Sequence, residues 1–220
     1  MLKTKLIAVT QPVVEGLKSP GDLIAFCARV SNPANQHNMD TADKLLSYLK
    51  KHKHWSPFEM ANAVVEVEAP RDIMRQLLRH RSFSFQEFSQ RYASVADLQN
   101  AFCIRDLRMQ DTTNRQNSLA TQDEELQLWW KTKQEEVLAD IEKVYNEALS
   151  KGIAKEVARV VLPEGMTMSR AYVNGTIRSW IHYFDVRIDE GVTQAEHVAL
   201  ARLIAQQVNK AFPVVKELSC

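Results

Sequence analysis

The sequence contains no apolar run of the length, about 20 residues, that crosses a lipid bilayer. It also has no apolar signal-peptide segment near its first residue. Cysteine is rare: Cys27, Cys103 and Cys220 are odd in number and far apart, which argues against a metal-binding spacing and a paired disulfide framework. We therefore expect a soluble protein of a reducing compartment, the cytoplasm.

Glycine is scarce as well, with 6 residues in 220, and neither Gly-x-Gly-x-x-Gly nor Gly-x-Ser-x-Gly occurs. The first absence means that a flavin would have to be held by side chains, because no glycine-rich turn leads into a helix. The second argues against a serine hydrolase with a nucleophile elbow. A formal net charge of +1 leaves no general cationic surface, which disfavours nucleic-acid binding.

The apolar pattern indicates long helices, few strands and no regular strand–helix alternation. It predicts one α+β domain over residues 1–220, with a small, mostly antiparallel sheet. Strands are expected at 6–9, 62–68 and 166–173. Helices are expected from Ser19, at 41–51, 70–80, 123–150, 153–162 and 176–187, and from a capping box at Thr193–Glu196. Residues 93–122 show little periodicity and are expected to form a functional or mobile loop.

Residues 75–92 contain four arginines, one histidine and one glutamate, interleaved with aromatic residues. Because like charges repel, such a cluster does not help folding and indicates an anionic ligand. Helical spacing predicts a buried stripe through Ile73 and Leu77 and an opposite face formed by Arg75, Gln76, Arg79 and His80. After Ser82 the pattern changes to period two, which predicts an extended segment with one face formed by Glu87, Ser89 and Arg91.

The run Arg79-His80-Arg81, then seven residues and Ser89, closely resembles the signature of the flavin-dependent thymidylate synthases. Further similar segments lie at 28–31, 52–59, 153–163 and 176–187. Gln86 stands where many members of that family have asparagine. The resemblance implies methylation of carbon-5 of dUMP, with 5,10-methylenetetrahydrofolate as carbon donor and NADPH as reductant through FAD. It also implies a homotetramer whose active sites are shared between subunits.

The resemblance implies a role for individual residues. The residues matching the FAD site are His54, Ser56, Arg79, His80, Arg81, Glu87, Thr176, Arg178 and His182. Those matching the dUMP site are Gln76, Arg79, Glu87, Ser89, Gln90, Arg91, Arg159 and Arg187. Thr176 stands where some relatives have asparagine. Ser89 is assigned to substrate binding, because neither neighbour on its predicted face is a natural base for a serine nucleophile. No metal is implied.

Arg187 is assigned the catalytic role. Carbon-5 of uracil is a weak nucleophile, and removing the proton from ring nitrogen-3 would push electrons into the ring. A guanidinium about 4 Å away, at an effective dielectric near 20, favours that anion by at most about 4 kcal/mol. This corresponds to roughly three pKa units, enough to populate the anion near neutral pH.

Plainer interpretations exist for several of these residues. The protein could be a non-catalytic nucleotide-binding or nucleic-acid-binding protein that keeps the motif. His54 and Ser56 could belong to a structural turn at Pro57, and Arg159 could be an ordinary surface arginine. His52 and His54 have metal-like spacing, but no third ligand is apparent and the adjacent lysines oppose a cation.

Overall fold

Two nine-residue antiparallel strands form the centre of the fold: β2 (Asn62–Pro70) and β6 (Met168–Thr176). The computed structural model describes residues 2–213, and in it β1 (Lys3–Val9) pairs with β2, while β3 (Ser84–Glu87) pairs with β6. The four strands have the order β1-β2-β6-β3, with antiparallel neighbours throughout. The alternation of Ala63, Val65 and Val67 places these side chains on one fully buried face. This antiparallel sheet confirms the α+β prediction.

Seven α-helices occur within residues 2–213: α1 (Pro20–Ala28), α2 (Ala42–Lys51), α3 (Arg71–Leu77), α4 (Glu124–Ser150), α5 (Lys155–Ala158), α6 (Ile177–Arg187) and α7 (Ala195–Asn209). Helix α1 starts at the predicted signal of Ser19, which forms a capping box with Asp22. The helix predicted at 123–150 starts after Asp123, whose carboxylate caps it by accepting from the backbone N–H of Leu126. Thr176 caps α6 in the same way. The predicted helices therefore exist, with ends shifted by a few residues.

The core lies between the buried face of the sheet and the helices. Trp180 and Phe184 of α6 are fully buried with Ile73 of α3 and Ile204 of α7 in one apolar cluster. The indole N–H of Trp180 donates to the carbonyl of Ala63 on β2 at 3.2 Å, so its one polar group is satisfied. This packing fixes α3 and α6 against the sheet.

Residues 93–122 are largely irregular, as predicted, and they also contain a hairpin, β4 (Arg108–Gln110) and β5 (Ser118–Ala120). Its turn is organised by the Asp111 carboxylate accepting from three residues.

Two local predictions were wrong. The strand after Ser82 ends at Glu87, so Glu87, Ser89 and Arg91 do not share an extended face. Residues 89–92 instead form a turn in which the N–H of Tyr92 donates to the carbonyl of Ser89 at 3.1 Å.

The capping box predicted at Thr193 is also wrong. Helix α7 has Gln194 as its N-cap, with no side-chain cap bond. The Thr193 hydroxyl donates to the carbonyl of Val186 at 3.1 Å, and the Glu196 carboxylate accepts from the Arg108 guanidinium at 2.8 Å. The Arg108 guanidinium therefore binds this carboxylate in place of the Thr193 backbone N–H that the predicted capping box required.

Cys27 and Cys103 are free thiols, and Cys220 lies outside the described residues. Burial raises the pKa of both thiols. No helix within residues 2–213 is both long enough and apolar enough to cross a membrane.

Gly175 of β6 allows the loop after α3 to approach the sheet. A Cβ atom placed on Gly175 would lie 2.3 Å from the ring of Phe83. That ring is buried, and it packs against Trp180 with ring centroids 4.3 Å apart. Phe83 therefore anchors the segment after Arg79-His80-Arg81 to the core, and the contact requires a residue without a side chain.

We predict that Gly175→Ala lowers the free energy of unfolding by about 1–3 kcal/mol, because the Phe83 ring has no free space into which to move. Urea denaturation followed by circular dichroism measures the change. Gly165→Ala is the matched control, since a Cβ there meets no atom within 4 Å. A Gly175→Ala variant as stable as the control would contradict the packing role of this glycine.

Candidate functional site

The Arg79-His80-Arg81 segment directly follows the last turn of α3. Ile73, Met74 and Leu77 are buried as the helical pattern predicts, while the side chains of Arg79 and Arg81 are exposed. Within the described residues neither guanidinium has a hydrogen bond or an acidic partner. Two exposed arginines without internal counter-charges leave their donors available to an anion.

His80 lies against the end of α6. The Arg187 Nε–H donates to His80 Nε2 at 2.9 Å, and the imidazole packs on the Tyr183 ring with centroids 4.9 Å apart. Burial, with the positive charges of Arg187 and Arg79, lowers the pKa of His80 to about 4. His80 is therefore neutral near pH 7, and Arg187 keeps its two terminal nitrogens free of hydrogen bonds within residues 2–213.

Gln76 belongs to a chain of polar side chains behind Arg187. Its Nε2 donates to Gln194 Oε1 at 2.8 Å, and its Oε1 lies 3.1 Å from Nδ1 of His197. His197 Nε2 lies 3.1 Å from the Tyr183 hydroxyl, and both of these residues are almost completely buried. Burial, with the charge of Arg187, lowers the pKa of His197 to about 3. We call Gln76, Tyr183, Gln194 and His197 the polar relay.

Sequence reasoning missed three members of the polar relay, namely Tyr183, Gln194 and His197. The apolar face that helical spacing assigns to α7 includes the position of His197, three residues before Leu200 and seven before Ile204, but spacing names no partner for this histidine. The positions of Tyr183 and His197 on the buried sides of α6 and α7 were the available signal, because buried polar side chains require partners.

Glu87 lies at the end of β3, between two arginines of α3. Its carboxylate accepts from the Ser169 hydroxyl at 2.8 Å and lies 3.7 Å from both Arg71 and Arg75. The same arginines bind Glu164. Arg71 and Arg75 are spaced i, i+4 on α3, and this network holds the start of the helix against the sheet.

Predicted flavin residues also lie around the first half of α6. Arg178 pairs with Glu59 at 3.0 Å, and His182 packs on Trp55 with ring centroids 4.9 Å apart. His54 and Ser56 are exposed on the segment between α2 and β2. The Thr176 hydroxyl accepts from the Ser179 N–H at 3.1 Å, so it serves first as a helix cap. We call His54, Ser56, Arg178 and His182 the α6 surface group.

The third set surrounds the turn after β3. Arg91 donates to the Glu156 carboxylate at 3.2 Å, and Arg159 donates to the Glu156 carbonyl at 3.3 Å. The Ser89 hydroxyl accepts from the Arg91 N–H at 3.4 Å. Gln90 is buried, yet its Nε2 has no hydrogen-bond partner. We call Ser89, Gln90, Arg91 and Arg159 the turn group.

These observations fit a nucleotide and a flavin bound by side chains. An orphaned buried amide donor is costly unless a ligand satisfies it, and Gln90, next to Arg91 in the chain, provides one. Arg178 and Arg187 are nine residues apart on α6, so they lie on opposite helix faces and roughly 13 Å apart along the axis. The structure therefore distributes the predicted site residues over three surfaces of one chain.

The family model described as thymidylate synthase complementing protein matches residues 12–214. The chain is 51% identical over 214 residues to a probable flavin-dependent thymidylate synthase of Paramecium bursaria Chlorella virus 1, and 97% of each chain is covered. It is 45% identical over 217 residues to the flavin-dependent thymidylate synthase of Synechocystis, again with 97% coverage of both.

A solved structure has the same fold. It is a UMP/dUMP methylase, PolB, from Streptomyces cacaoi bound with 5-Br dUMP. The TM-score is 0.80 at 26% sequence identity, with 99% of this chain and 94% of the other chain covered.

The buried histidines predict a loss of stability in weak acid. The unfolded chain binds a proton at each histidine below about pH 6.5, whereas folded His80 and His197 bind theirs only near pH 4 and pH 3. Stability should therefore fall as the pH drops from 6.5 through this window. The lowered pKa of the fully buried His197 alone should reduce the free energy of unfolding by about 1–2 kcal/mol between pH 6.5 and pH 5.

Urea denaturation at pH 6.5 and pH 5 measures this difference, and His197→Asn should remove most of the His197 share. Despite partial burial, hydrogen bonds from arginines hold the pKa values of Glu164 and Glu196 below their usual range. The stability that these ionised carboxylates provide is therefore lost only at a pH below the two values compared. Equal free energies of unfolding at the two pH values would show that the histidines titrate as they do in the unfolded chain.

Proposed function

We propose, because the chain belongs to the family of flavin-dependent thymidylate synthases, that it reductively methylates dUMP to dTMP. The carbon unit comes from 5,10-methylenetetrahydrofolate. FAD, when bound, passes a hydride from NADPH to the nucleotide. The observation that carries this proposal is the pair of exposed, uncompensated arginines beside the His80–Arg187 contact. Residues 1–220 form one catalytic unit that works in the cytoplasm, where Cys27 and Cys103 would stay reduced.

The chain's own residues divide between two ligands in this proposal. Arg79, His80, Arg81 and the α6 surface group hold FAD, with Thr176 and Glu87 supporting them. The turn group, with Gln76, Arg79, Glu87 and Arg187, holds dUMP. Arg91 and Arg159 suit the phosphate, because each has unpaired guanidinium nitrogens beyond the one bond recorded for it. The predicted binding roles of these residues stay proposals.

Arg187 has the catalytic role in this proposal. Its Nε is held by His80, so the two terminal nitrogens point as a fixed fork toward a ligand. Burial lowers the pKa of Arg187. A desolvated guanidinium favours an adjacent anion more strongly than a fully hydrated one, because water screens it less. Such a group would stabilise the uracil anion that forms when nitrogen-3 releases its proton to solvent water.

The function is tested by a simple spectrum. The purified protein should be yellow, NADPH should bleach it under anaerobic conditions, and dUMP with 5,10-methylenetetrahydrofolate should yield dTMP. Arg81→Ala should lose flavin with an unchanged circular dichroism spectrum, and Arg115→Ala, an exposed arginine of the hairpin turn, is the control. A colourless wild-type protein that binds oligonucleotides would instead support the non-catalytic alternative.

Substitution of Arg187 separates its catalytic role from a structural one. Arg187→Lys keeps the charge but loses the planar fork, and Arg187→Ala loses both. We expect both variants to retain FAD, with Arg187→Ala slowed up to about a thousandfold, the equivalent of about 4 kcal/mol. Anaerobic single-turnover kinetics with prebound dUMP measures the step. If Arg187→Ala forms dTMP at the wild-type rate, the arginine serves only to fix the end of α6.

We also propose the homotetramer. Helix α4 exposes an apolar stripe in which Trp130 is 36%, Val137 48% and Val144 49% accessible, and Val160 beyond α5 is 82% accessible. Apolar surface of this extent marks an interface. Arg178 and Arg187 lie on opposite faces of α6. One active site can include both more easily when a second subunit supplies one of them.

Light scattering measures the assembly directly, and we expect a mass of four chains. Val137→Glu should dissociate it, because a buried carboxylate at an interface is costly. Val13→Glu is the matched control, since Val13 is 98% accessible and lies far from α4 in sequence. A fully active monomer would contradict both the tetramer and the shared sites.

A further inference from the structure

The polar relay has a determined direction of donation, because it ends at a carboxylate. Glu196 accepts from Gln194 Nε2 at 2.9 Å and from Arg108 at 2.8 Å. Burial favours the protonated form of Glu196, but the hydrogen bonds from Arg108 and Gln194 outweigh it and hold the pKa below the usual range. An ionised carboxylate only accepts hydrogen bonds, so it fixes which end of the Gln194 amide faces it.

The orientation of the Gln194 amide then determines the orientation of each following group in the polar relay. With Nε2 of Gln194 bound to Glu196, Oε1 of Gln194 must accept from Nε2 of Gln76. Oε1 of Gln76 then faces His197 Nδ1, which must carry the imidazole proton. His197 Nε2 is left as an acceptor for the Tyr183 hydroxyl. Each amide orientation and the imidazole tautomer follow from one carboxylate.

We propose that His197 is a positioning residue: by donating from Nδ1 to the Gln76 oxygen, it holds the Gln76 amide in the orientation that Glu196 sets through Gln194, with an N–H directed to the nucleotide. This inference rests on the proposed function, since it concerns how dUMP is held. The Gln76 amide oxygen is used by His197, and one N–H is used by Gln194, so one N–H remains for a ligand oxygen. Gln76 is half-buried, so this edge is accessible.

The orientation gives the site a chemical preference. An N–H at this position donates to a carbonyl or phosphate oxygen and disfavours a group that itself donates, such as an exocyclic amine. If the Gln76 amide were reversed, its oxygen would face the oxygen of Gln194, and its N–H groups would face the protonated Nδ1 of His197. Both contacts are unfavourable within a hydrogen-bond network that is shielded from water. The relay therefore stabilises one amide orientation before the nucleotide binds.

The tautomer is measurable without any assay of activity. Solid-state ¹⁵N spectra of protein labelled at histidine distinguish protonated Nδ1 from protonated Nε2, and His197→Asn identifies the His197 signal by its loss. We expect the proton on Nδ1. A His197 protonated at Nε2 overturns the proposal, whether or not the protein proves to be an enzyme.

Two matched variants test positioning in the kinetics. Asparagine places an amide where Nδ1 lies, so His197→Asn should keep the bond to Gln76. Glutamine places its amide near Nε2, so His197→Gln should keep the bond to Tyr183 and lose Gln76. We expect KM for dUMP to rise about tenfold in His197→Gln, with kcat and bound flavin little changed, and to be largely restored in His197→Asn.

His37→Asn, at an exposed histidine outside the site, is the control. Deoxyuridine, which lacks the phosphate, identifies the acceptor: the penalty persists if Gln76 meets a base carbonyl and disappears if it meets phosphate. Equal KM values in His197→Asn and His197→Gln overturn the positioning role. Should neither variant fold, the tautomer of the wild-type protein decides, with the His197 signal assigned through its backbone spectra instead of by substitution. A wild-type protein that makes no dTMP would refute the proposed function alone.

Discussion

The antiparallel pairing of β2 with β6 is the interaction on which the site depends. The ladder joins Asn62 to Thr176 at one end and Pro70 to Met168 at the other, so α3 and α6 begin at opposite ends of it. Both helices run back over the same core and end where His80 meets Arg187. A shift in the register of these two strands would separate the two helix ends that carry the site.

The positive charges of the arginines at the ends of α3 and α6 are favoured by the dipoles of those two helices. The C-terminal end of a helix carries partial negative charge, which favours nearby cations. Arg79 follows the end of α3 and Arg187 ends α6, so each helix end stabilises its own guanidinium against repulsion from the other arginine. The neutral state of His80 serves the same purpose, because a third positive charge at this point would be unfavourable.

Much of this architecture was predictable because it rests on local periodicity. The buried stripe of α3, the alternation in β2 and the start of α4 near Asp123 are set by neighbouring residues, and each was found where expected. The β4–β5 hairpin was not predicted, because its strands have three residues each and its turn depends on side-chain bonds to Asp111. The capping box at Thr193 was wrong for a related reason, since Arg108, distant in sequence, takes the Glu196 carboxylate.

The candidate site divides in the same manner. Its residue types were recognisable from the run at residues 79–91, but their partners come from distant parts of the chain. His197 could not be identified from sequence, because the bonds that make a buried histidine favourable come from Gln76 on α3 and Tyr183 on α6. Sequence patterns located the candidate binding residues, and tertiary packing determined the groups behind them.

The His80–Arg187 contact has a consequence for how the protein is made. Its two residues are 107 positions apart, and the strands that bring them together are separated by a similar length of chain. Closing so long a loop costs entropy before any contact repays it, so this pairing belongs to the slow part of folding. During synthesis the arginine-rich segment leaves the ribosome long before α6 exists. The nascent chain therefore carries exposed cationic groups and an unpaired β2 edge until the last third has been translated.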